Sequence, residues 1–344
     1  MLEHGGRLRR AARHYRIPLA DWLDLSTGIN PLAYPLPPIP ESAWQRLPED
    51  DDGLESAAAA YYGCAALLPV AGSQAAIQAL PGLIPGQRVS LLAPSYAEHA
   101  HAWRLRQPRL LSADELDGAI EHSDVLVLVH PNNPTGERFA RAQLLDWHER
   151  LARRGGWLIV DEAFIDSDPP AGSASLAAAG GRPGLVVLRS LGKFFGLAGA
   201  RVGFVLAPAD LRRQLAELLG PWTVSGPARH VAQTALADHG WQQATRQRLA
   251  ADSLRLAQQL QAAGLGRPAG PALFQSLDHP QAEAVHDALA RHGILTRLFR
   301  ADTHGPARLR FGLPPDEKGW LRLQAALDVL PPTLLSHPDP APLP

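Results

Sequence analysis

The sequence predicts an α/β protein with a mostly parallel central sheet, followed by a smaller α+β domain. Short, almost wholly apolar runs alternate with Ala/Leu/Arg-rich stretches from about Leu67 to Leu219. Strands without polar alternation are those covered on both faces, as in a parallel sheet flanked by helices. Past Ser225 the pattern changes to long helical stretches and then to strand, helix, strand, helix. The length, 344 residues, is that of about two domains at roughly 150 residues each.

In chain order, residues 1–45 are punctuated by Pro31, Pro35, Pro37, Pro38 and Pro40 and read as an arm with one helix that contributes to the small domain. Residues 46–225 form the expected large domain, with strands at 89–92, 125–129, 157–160, 185–188 and 202–206 and helices at 73–83 and 141–153. Residues 226–330 form the expected small domain: helices at 227–239 and 241–263, a strand at 272–277, a helix at 281–292, a strand at 307–311 and a helix at 316–330. The proline-rich tail, 331–344, is expected to be poorly ordered.

Composition narrows the function classes. Lys plus Arg total 33 against 34 Asp plus Glu, a net charge of -1, so no electrostatic surplus favours nucleic acid or an anionic membrane. The single cysteine, Cys64, excludes an intrachain disulfide and any multi-cysteine metal site. No apolar signal stretch opens the chain, and its apolar runs are strand-sized, so a cytoplasmic protein is expected. Only Lys193 and Lys318 are lysines, which leaves two candidates for amine chemistry.

Four segments follow strands, where an α/β sheet presents its functional groups. Gly72-Ser73-Gln74 opens a helix and offers backbone N–H groups to an anion. His130-Pro131-Asn132-Asn133-Pro134-Thr135-Gly136 is a proline-braced loop in which Asn133 can supply an amide. Asp161-Glu162 puts carboxylates at a buried strand end, which needs a cation opposite; an internal salt bridge to an arginine would suffice. Ser190-Leu191-Gly192-Lys193, with Arg201 eight residues on, sets a rare lysine among glycines and aromatics, where an amine becomes a usable nucleophile. Lys318, among Asp316, Glu317 and Gly319, reads as surface. His99 and His101 have no ligand or nucleophile company in sequence and read as surface residues too.

In combination and order these segments resemble the fold-type I pyridoxal-phosphate enzymes, the aspartate aminotransferase superfamily, over about 24–313. That resemblance implies a large domain with a mostly parallel seven-stranded sheet, a smaller α+β domain and a homodimer. It implies pyridoxal 5'-phosphate on Lys193, Asp161 at the ring nitrogen, Asn133 at the phenolic oxygen and Tyr96 on the ring face. Gly72, Ser73, Gln74, Ser190 and Arg201 would hold the cofactor phosphate, and Arg310 would clamp a substrate carboxylate. Two positions depart from the pattern: Phe164 stands where the superfamily often has tyrosine, and Leu47 precedes Pro48 where related enzymes have a tyrosine reaching the partner subunit.

The opening His4-Gly5-Gly6 and the segment Leu23-Asp24-Leu25-Ser26-Thr27-Gly28-Ile29-Asn30-Pro31-Leu32 look like the threonine-phosphate decarboxylases of cobalamin biosynthesis. Histidinol-phosphate aminotransferases, the alternative, share Asn-Pro-Leu but typically lack the histidine-glycine-glycine opening. The resemblance therefore implies decarboxylation of L-threonine O-3-phosphate, a small phosphorylated amino acid. Expected substrate contacts are His4, Gly28, Ile29, Asn30, Asn133 and Arg310, with Arg297 or Arg300 as further candidates for the substrate phosphate.

Overall fold

A computed structural model describes residues 2–170, 173–303 and 305–335; the proline-rich tail lies outside the described residues from position 336 on. The chain divides into two compact units, a larger one of Ala33–Asn133 with Glu137–Arg246, and a smaller one of residues 2–32, 134–136 and Gln247 onward.

The smaller unit starts with α1 (Leu8–Tyr15) and β1 (Leu23–Asp24). The larger unit runs through α2 (Ser42–Gln45), α3 (Leu54–Tyr62), β2 (Leu67–Val70), α4 (Ser73–Leu83), β3 (Val89–Leu92), α5 (Ala97–Trp103) and β4 (Arg109–Leu111). It continues with α6 (Leu116–Ala119), β5 (Val125–Val129), α7 (Arg141–Ala152), β6 (Trp157–Asp161), β7 (Leu185–Ser190), β8 (Gly203–Leu206), α8 (Ala209–Leu219) and α9 (Gly226–Ala237). The boundary falls within α10 (His239–Ala262), after which come β9 (Phe274–Asp278), α11 (Ala282–Arg291), β10 (Ile294–Leu295), β11 (Arg297–Phe299), β12 (Arg308–Gly312) and α12 (Glu317–Asp328).

Seven strands of the larger unit form one sheet in the order β2-β8-β7-β6-β5-β3-β4, parallel from β4 to β7 and antiparallel at β8 and β2. Every residue of β5, β7 and β8 is buried, which explains the apolar runs at 125–129 and 185–188; β7 continues beyond its run through Arg189 and Ser190. On one face Val89, Leu91, Val125, Val127, Ile159, Val186, Leu188 and Val205 pack with Ile77 and Leu80 of α4, Trp103 of α5 and Leu211 and Leu215 of α8. Side chains alternate between faces along a strand, so Asp161 extends the row of Ile159, and Ser190 that of Leu188. Pro69 sits in β2, an edge strand, where its missing N–H is tolerated.

The smaller unit holds a three-stranded antiparallel sheet, β11-β12-β9, and a parallel β1–β10 pair. Ala11, Trp22, Ala290 and Leu295 tie α1 and β1 to α11 and β10.

The unit boundaries differ from those expected. Residues 33–45 and 226–246 belong to the larger unit, because α9 packs on α3 and α2. Arg229 of α9 clamps Asp52 (2.6 and 2.7 Å) and Glu55 (2.7 Å). The change of sequence pattern near residue 225 marks a switch from strands to helices, while the core continues across it.

Truncating a side chain beneath α4 tests this core. Ile77→Ala, at a position 1 % exposed, is expected to lose about 2–5 kcal/mol, read from urea unfolding of the full chain.

Candidate active site

The chain runs β3, β4, β5 while β3 lies between β4 and β5, so the crossovers diverge between β3 and β5 and open a crevice at the carboxyl ends of the strands. The loops after β3, β5 and β7 carry Tyr96, Asn133 and Lys193, and β6 ends on Asp161. Asn132 ties two of these loops together: its Oδ1 accepts from Ser95 Oγ (2.7 Å) and its Nδ2 donates to the Pro94 carbonyl (2.9 Å). The second loop is braced further by Asn132 N–H donating to Glu137 O (2.9 Å) and by His130 Nε2 accepting from Phe139 N–H (3.0 Å). Burial pushes the His130 imidazole down to about 4, which keeps that nitrogen an acceptor. Asn133 is buried within this braced loop.

Four of the expected phosphate ligands converge at the N-terminus of α4. Gly72 has φ +73°, and a Cβ there would come within 2.6 Å of Arg201 Nη2. A Cβ on Gly203 would come within 2.6 Å of Ser73 N, and Gly203 pairs in register with Ser190. Arg201 itself has φ +55°, a left-handed conformation non-glycine residues rarely adopt, with Nη1 donating to Ala198 O (3.3 Å). A guanidinium pressed against the positive end of a helix is a like-charge juxtaposition that an anion relieves. The donor set and the missing side chains at 72 and 203 fit a phosphate dianion. Gln74 differs in role from its neighbours. Its side chain is engaged by Glu98 (Nε2 to Oε2, 2.9 Å) and by the Tyr96 hydroxyl, which donates to Oε1 (3.3 Å), so its contribution to an anion is its backbone N–H.

Asp161 closes β6 almost without exposure. Its Oδ2 meets His99 Nε2 at 3.0 Å, and its Oδ1 accepts from Ala163 N–H (3.1 Å). His99 is 4 % exposed, so its reading as a surface residue is corrected: it lies on α5, three residues past Tyr96, and buries itself against the carboxylate. That i, i+3 spacing from an expected cofactor residue was the signal available in the sequence. His101, by contrast, is exposed. The Tyr96 ring stands edge-on to His99 with centroids 6.1 Å apart. Burial, then Glu98 and Asp161, push the Tyr96 phenol up to about 12, so it is neutral at physiological pH. The Lys193 ammonium lies 5.5 Å from the centroid of the Phe164 ring, three residues past Asp161. The arginine expected opposite this strand end exists, but it serves the next residue: Arg189 Nη1 meets Glu162 Oε2 at 2.7 Å.

The larger unit thus assembles an amine, a buried carboxylate with a histidine behind it, and a phosphate cradle. Those are the groups pyridoxal 5'-phosphate requires for its aldehyde, its ring nitrogen and its phosphate, so the residues fit that cofactor.

The smaller unit gathers the remaining candidates. Arg310 of β12 is buried, its Nη2 donating to Ser26 O (2.9 Å) and its guanidinium 5.1 Å from the Phe274 ring centroid and 5.8 Å from that of Phe299. Burial, reinforced by Arg297, lowers its pKa to about 9, so it stays charged at neutral pH. Arg297 is its register partner on β11, a like-charge pair across the strands, and lies 4.8 Å from the same Phe299 centroid. The opening segment seats against this cluster. Gly6 N–H donates to Ser26 Oγ (2.7 Å), Arg297 Nη2 donates to Glu3 O (2.6 Å), and a Cβ on Gly5 would collide with the Ser26 carbonyl. His4 is therefore held beside Ser26 by its neighbours. Arg300 is spent on Glu283 (2.9 Å) and is exposed, whereas Arg297 lies among Arg7, Arg300 and Arg310. Gly28, Ile29 and Asn30 form a turn in which the Asn30 amide oxygen accepts from Leu32 N–H (3.1 Å) and Arg248 Nη2 (2.8 Å). That oxygen serves the fold.

The model of the family "Aminotransferase class I and II" matches residues 46–326. A threonine-phosphate decarboxylase of Pseudomonas aeruginosa is 60% identical over 95% of this chain and 97% of its own length. One from Sinorhizobium sp is 43% identical over 94% and 97%. Among solved structures, histidinol-phosphate aminotransferase from Sinorhizobium meliloti in complex with pyridoxal-5'-phosphate superposes with TM-score 0.78 at 18% identity, over 95% of this chain and 98% of that one.

Two variants test the cradle and the carboxylate pair. Arg201→Met is expected to raise the dissociation constant for pyridoxal phosphate at least about tenfold, or about 1.4 kcal/mol, in a fluorescence titration of the apo-protein. His99→Phe keeps the volume and removes Asp161's partner; kcat is expected to fall at least about tenfold with KM changed less, since the loss concerns orientation of the reacting centre.

Proposed function

This chain belongs to the class I and II aminotransferase family, and we propose that within it the protein is a pyridoxal-phosphate-dependent threonine-phosphate decarboxylase. It converts L-threonine O-3-phosphate to (R)-1-amino-2-propanol O-2-phosphate and carbon dioxide, the product serving as the linker of the cobalamin nucleotide loop. The observation that carries this reading is the full-length 60% identity to a threonine-phosphate decarboxylase. The seating of the histidine-glycine-glycine segment on Ser26, beside Arg310 and Arg297, supports it.

The cofactor, when bound, supplies an electron sink for the pair left on Cα as the carboxylate departs. Lys193 would provide the amine that holds it. Asp161 sets its carboxylate against the ring nitrogen, oriented by His99 and the Ala163 N–H. Ser73, Gln74 and Arg201 would donate to the cofactor phosphate, and Asn133 would donate to the ring's phenolic oxygen. Once the Cα–carboxylate bond has broken, one proton must reach Cα; Lys193 or a water it positions delivers it. Arg310 takes the substrate carboxylate, and Arg297 with His4 and Arg7 takes the substrate phosphate. Arg297 is preferred over Arg300 because Glu283 already neutralises the latter.

The larger unit also exposes Leu36, Trp44, Leu47, Leu218 and Trp222. Two tryptophans more than half exposed exceed the ordinary scatter of surface apolar groups, which supports a homodimer. Light scattering after size exclusion is expected to give about twice the 37.0 kDa chain mass, and a single-chain mass would refute the dimer.

The reaction is tested on cofactor-loaded protein given L-threonine O-3-phosphate and no oxo acid. Carbon dioxide and aminopropanol phosphate are expected in equal amounts, with none from Lys193→Ala. Arg297→Met is expected to raise KM at least about tenfold, a loss of about 1.4 kcal/mol, while Arg300→Met changes it less than about twofold. Glutamate formation from histidinol phosphate and 2-oxoglutarate, without decarboxylation, would replace this reading by an aminotransferase.

A further inference from the structure

The most heavily charged buried cluster of the larger unit, among the described residues, touches none of the expected ligands directly. Glu162, Asp166 and Arg189 are each under 5 % exposed. Arg189 Nη1 meets Glu162 Oε2 at 2.7 Å, and its Nη2 pairs with Asp166 Oδ1. Glu162 also accepts from Ser175 Oγ and Leu176 N–H, both at 2.6 Å. Asp166 accepts from the Tyr61 hydroxyl (3.0 Å), and Arg189 lies over the Tyr62 ring (4.7 Å). Arg246 extends the network: it donates to Asp166 O (2.9 Å) and Tyr61 Oη (3.0 Å), and it lies 5.0 Å from the centroid of Phe194, the residue after Lys193.

Placement in sequence makes this cluster more than an internal salt bridge. Glu162 directly follows Asp161, and Arg189 directly precedes Ser190, on adjacent parallel strands. Asp161 and Ser190 extend the rows that face α4 and α5, so Glu162 and Arg189 occupy the opposite face. One ion pair on the far face therefore joins the two strand ends whose near face carries the ring-nitrogen carboxylate and a phosphate hydroxyl. Dehydrating such charges costs about as much as their attraction returns, so the cluster is a poor source of stability and a good source of register.

We propose that Glu162, Arg189 and Asp166 are positioning residues, which fix Asp161, Ser190 and the Lys193 loop relative to one another for the bound cofactor. They touch neither cofactor nor substrate. Lysine at 189 cannot substitute, because its single ammonium cannot fork between two carboxylates as the guanidinium does.

The proposal rests on the cofactor reading above, and its test separates the two. Glu162→Gln keeps the shape and removes the charge. In the loaded enzyme the visible absorbance of the lysine-bound cofactor is titrated with pH, and cofactor affinity is measured on the apo-protein. Glu162→Gln is expected to shift the chromophore's apparent pKa by at least about half a unit and to weaken cofactor binding about fivefold or more. Arg189→Lys is expected to behave likewise and not to rescue. Arg229→Met, which opens the clamp of a buried arginine on the partly exposed Asp52 and Glu55, is the control: it is expected to lower the melting temperature and leave the chromophore unmoved. A Glu162→Gln enzyme with lowered melting temperature but unchanged chromophore and affinity overturns the proposal, as does an equal chromophore shift in Arg229→Met. Should Glu162→Gln not fold, Asp166→Asn carries the same two readings. A wild-type protein without the lysine-bound chromophore would instead refute the cofactor reading itself.

Discussion

Asp161 ends a central strand with almost no water in reach, so its carboxylate depends on whatever protein groups point at it. Among the described residues two do, His99 from α5 and the Ala163 N–H. Satisfying that group dictates much of the larger unit. It requires α5 to begin right after β3, which brings Tyr96 to the helix start and sets Gln74 and Glu98 in contact with each other. It also requires β6 and β7 to lie in register, with Asp161 opposite Leu188 and β7 running on to Ser190. The alternation of a strand then sends Glu162 and Arg189 to the other face, where burial of one demands the other.

A second constraint is positive charge held against positive charge. The guanidinium of Arg201 lies at the N-terminus of α4, and Arg310 faces Arg297 across two strands. Each arrangement is unfavourable in isolation and favourable around an anion. A net charge of -1 for the whole chain is compatible with both, since composition averages over the surface whereas recognition of phosphate and carboxylate is local.

The strands and helices of the larger unit were legible because burial on both faces leaves an unmistakable apolar pattern, and β3, β5 and α4 lie where that pattern puts them. Lys193 and Asp161 stood out in the sequence, one by rarity and the other as a carboxylate at a buried strand end. What pairs with them did not. A buried carboxylate announces the need for a partner without naming it: His99 serves Asp161, and the arginine serves Glu162. The unit boundary escaped as well, because Gly226 packed on Ala43 and Arg229 on Asp52 are contacts between distant parts of the chain. The role of the glycines in the opening segment became physical only when the Ser26 carbonyl was seen to occupy the space of a side chain.

The surroundings of Arg310 bear on how an arginine proposed to take the substrate carboxylate can serve a reaction that releases that group. A carboxylate leaving as neutral carbon dioxide surrenders its ion pair in the transition state, so every increment of grip in the ground state opposes the chemical step. In a dry site a bare guanidinium would resist that loss strongly. Arg310 is not bare: Ser26 O accepts one of its N–H groups, and the faces of Phe274 and Phe299 lie against it. Those partners remain when the carboxylate goes, while Arg297 opposite disfavours the charge throughout. The guanidinium can therefore orient the carboxylate without depending on it, and orientation rather than affinity is what breaking the Cα–carboxylate bond requires.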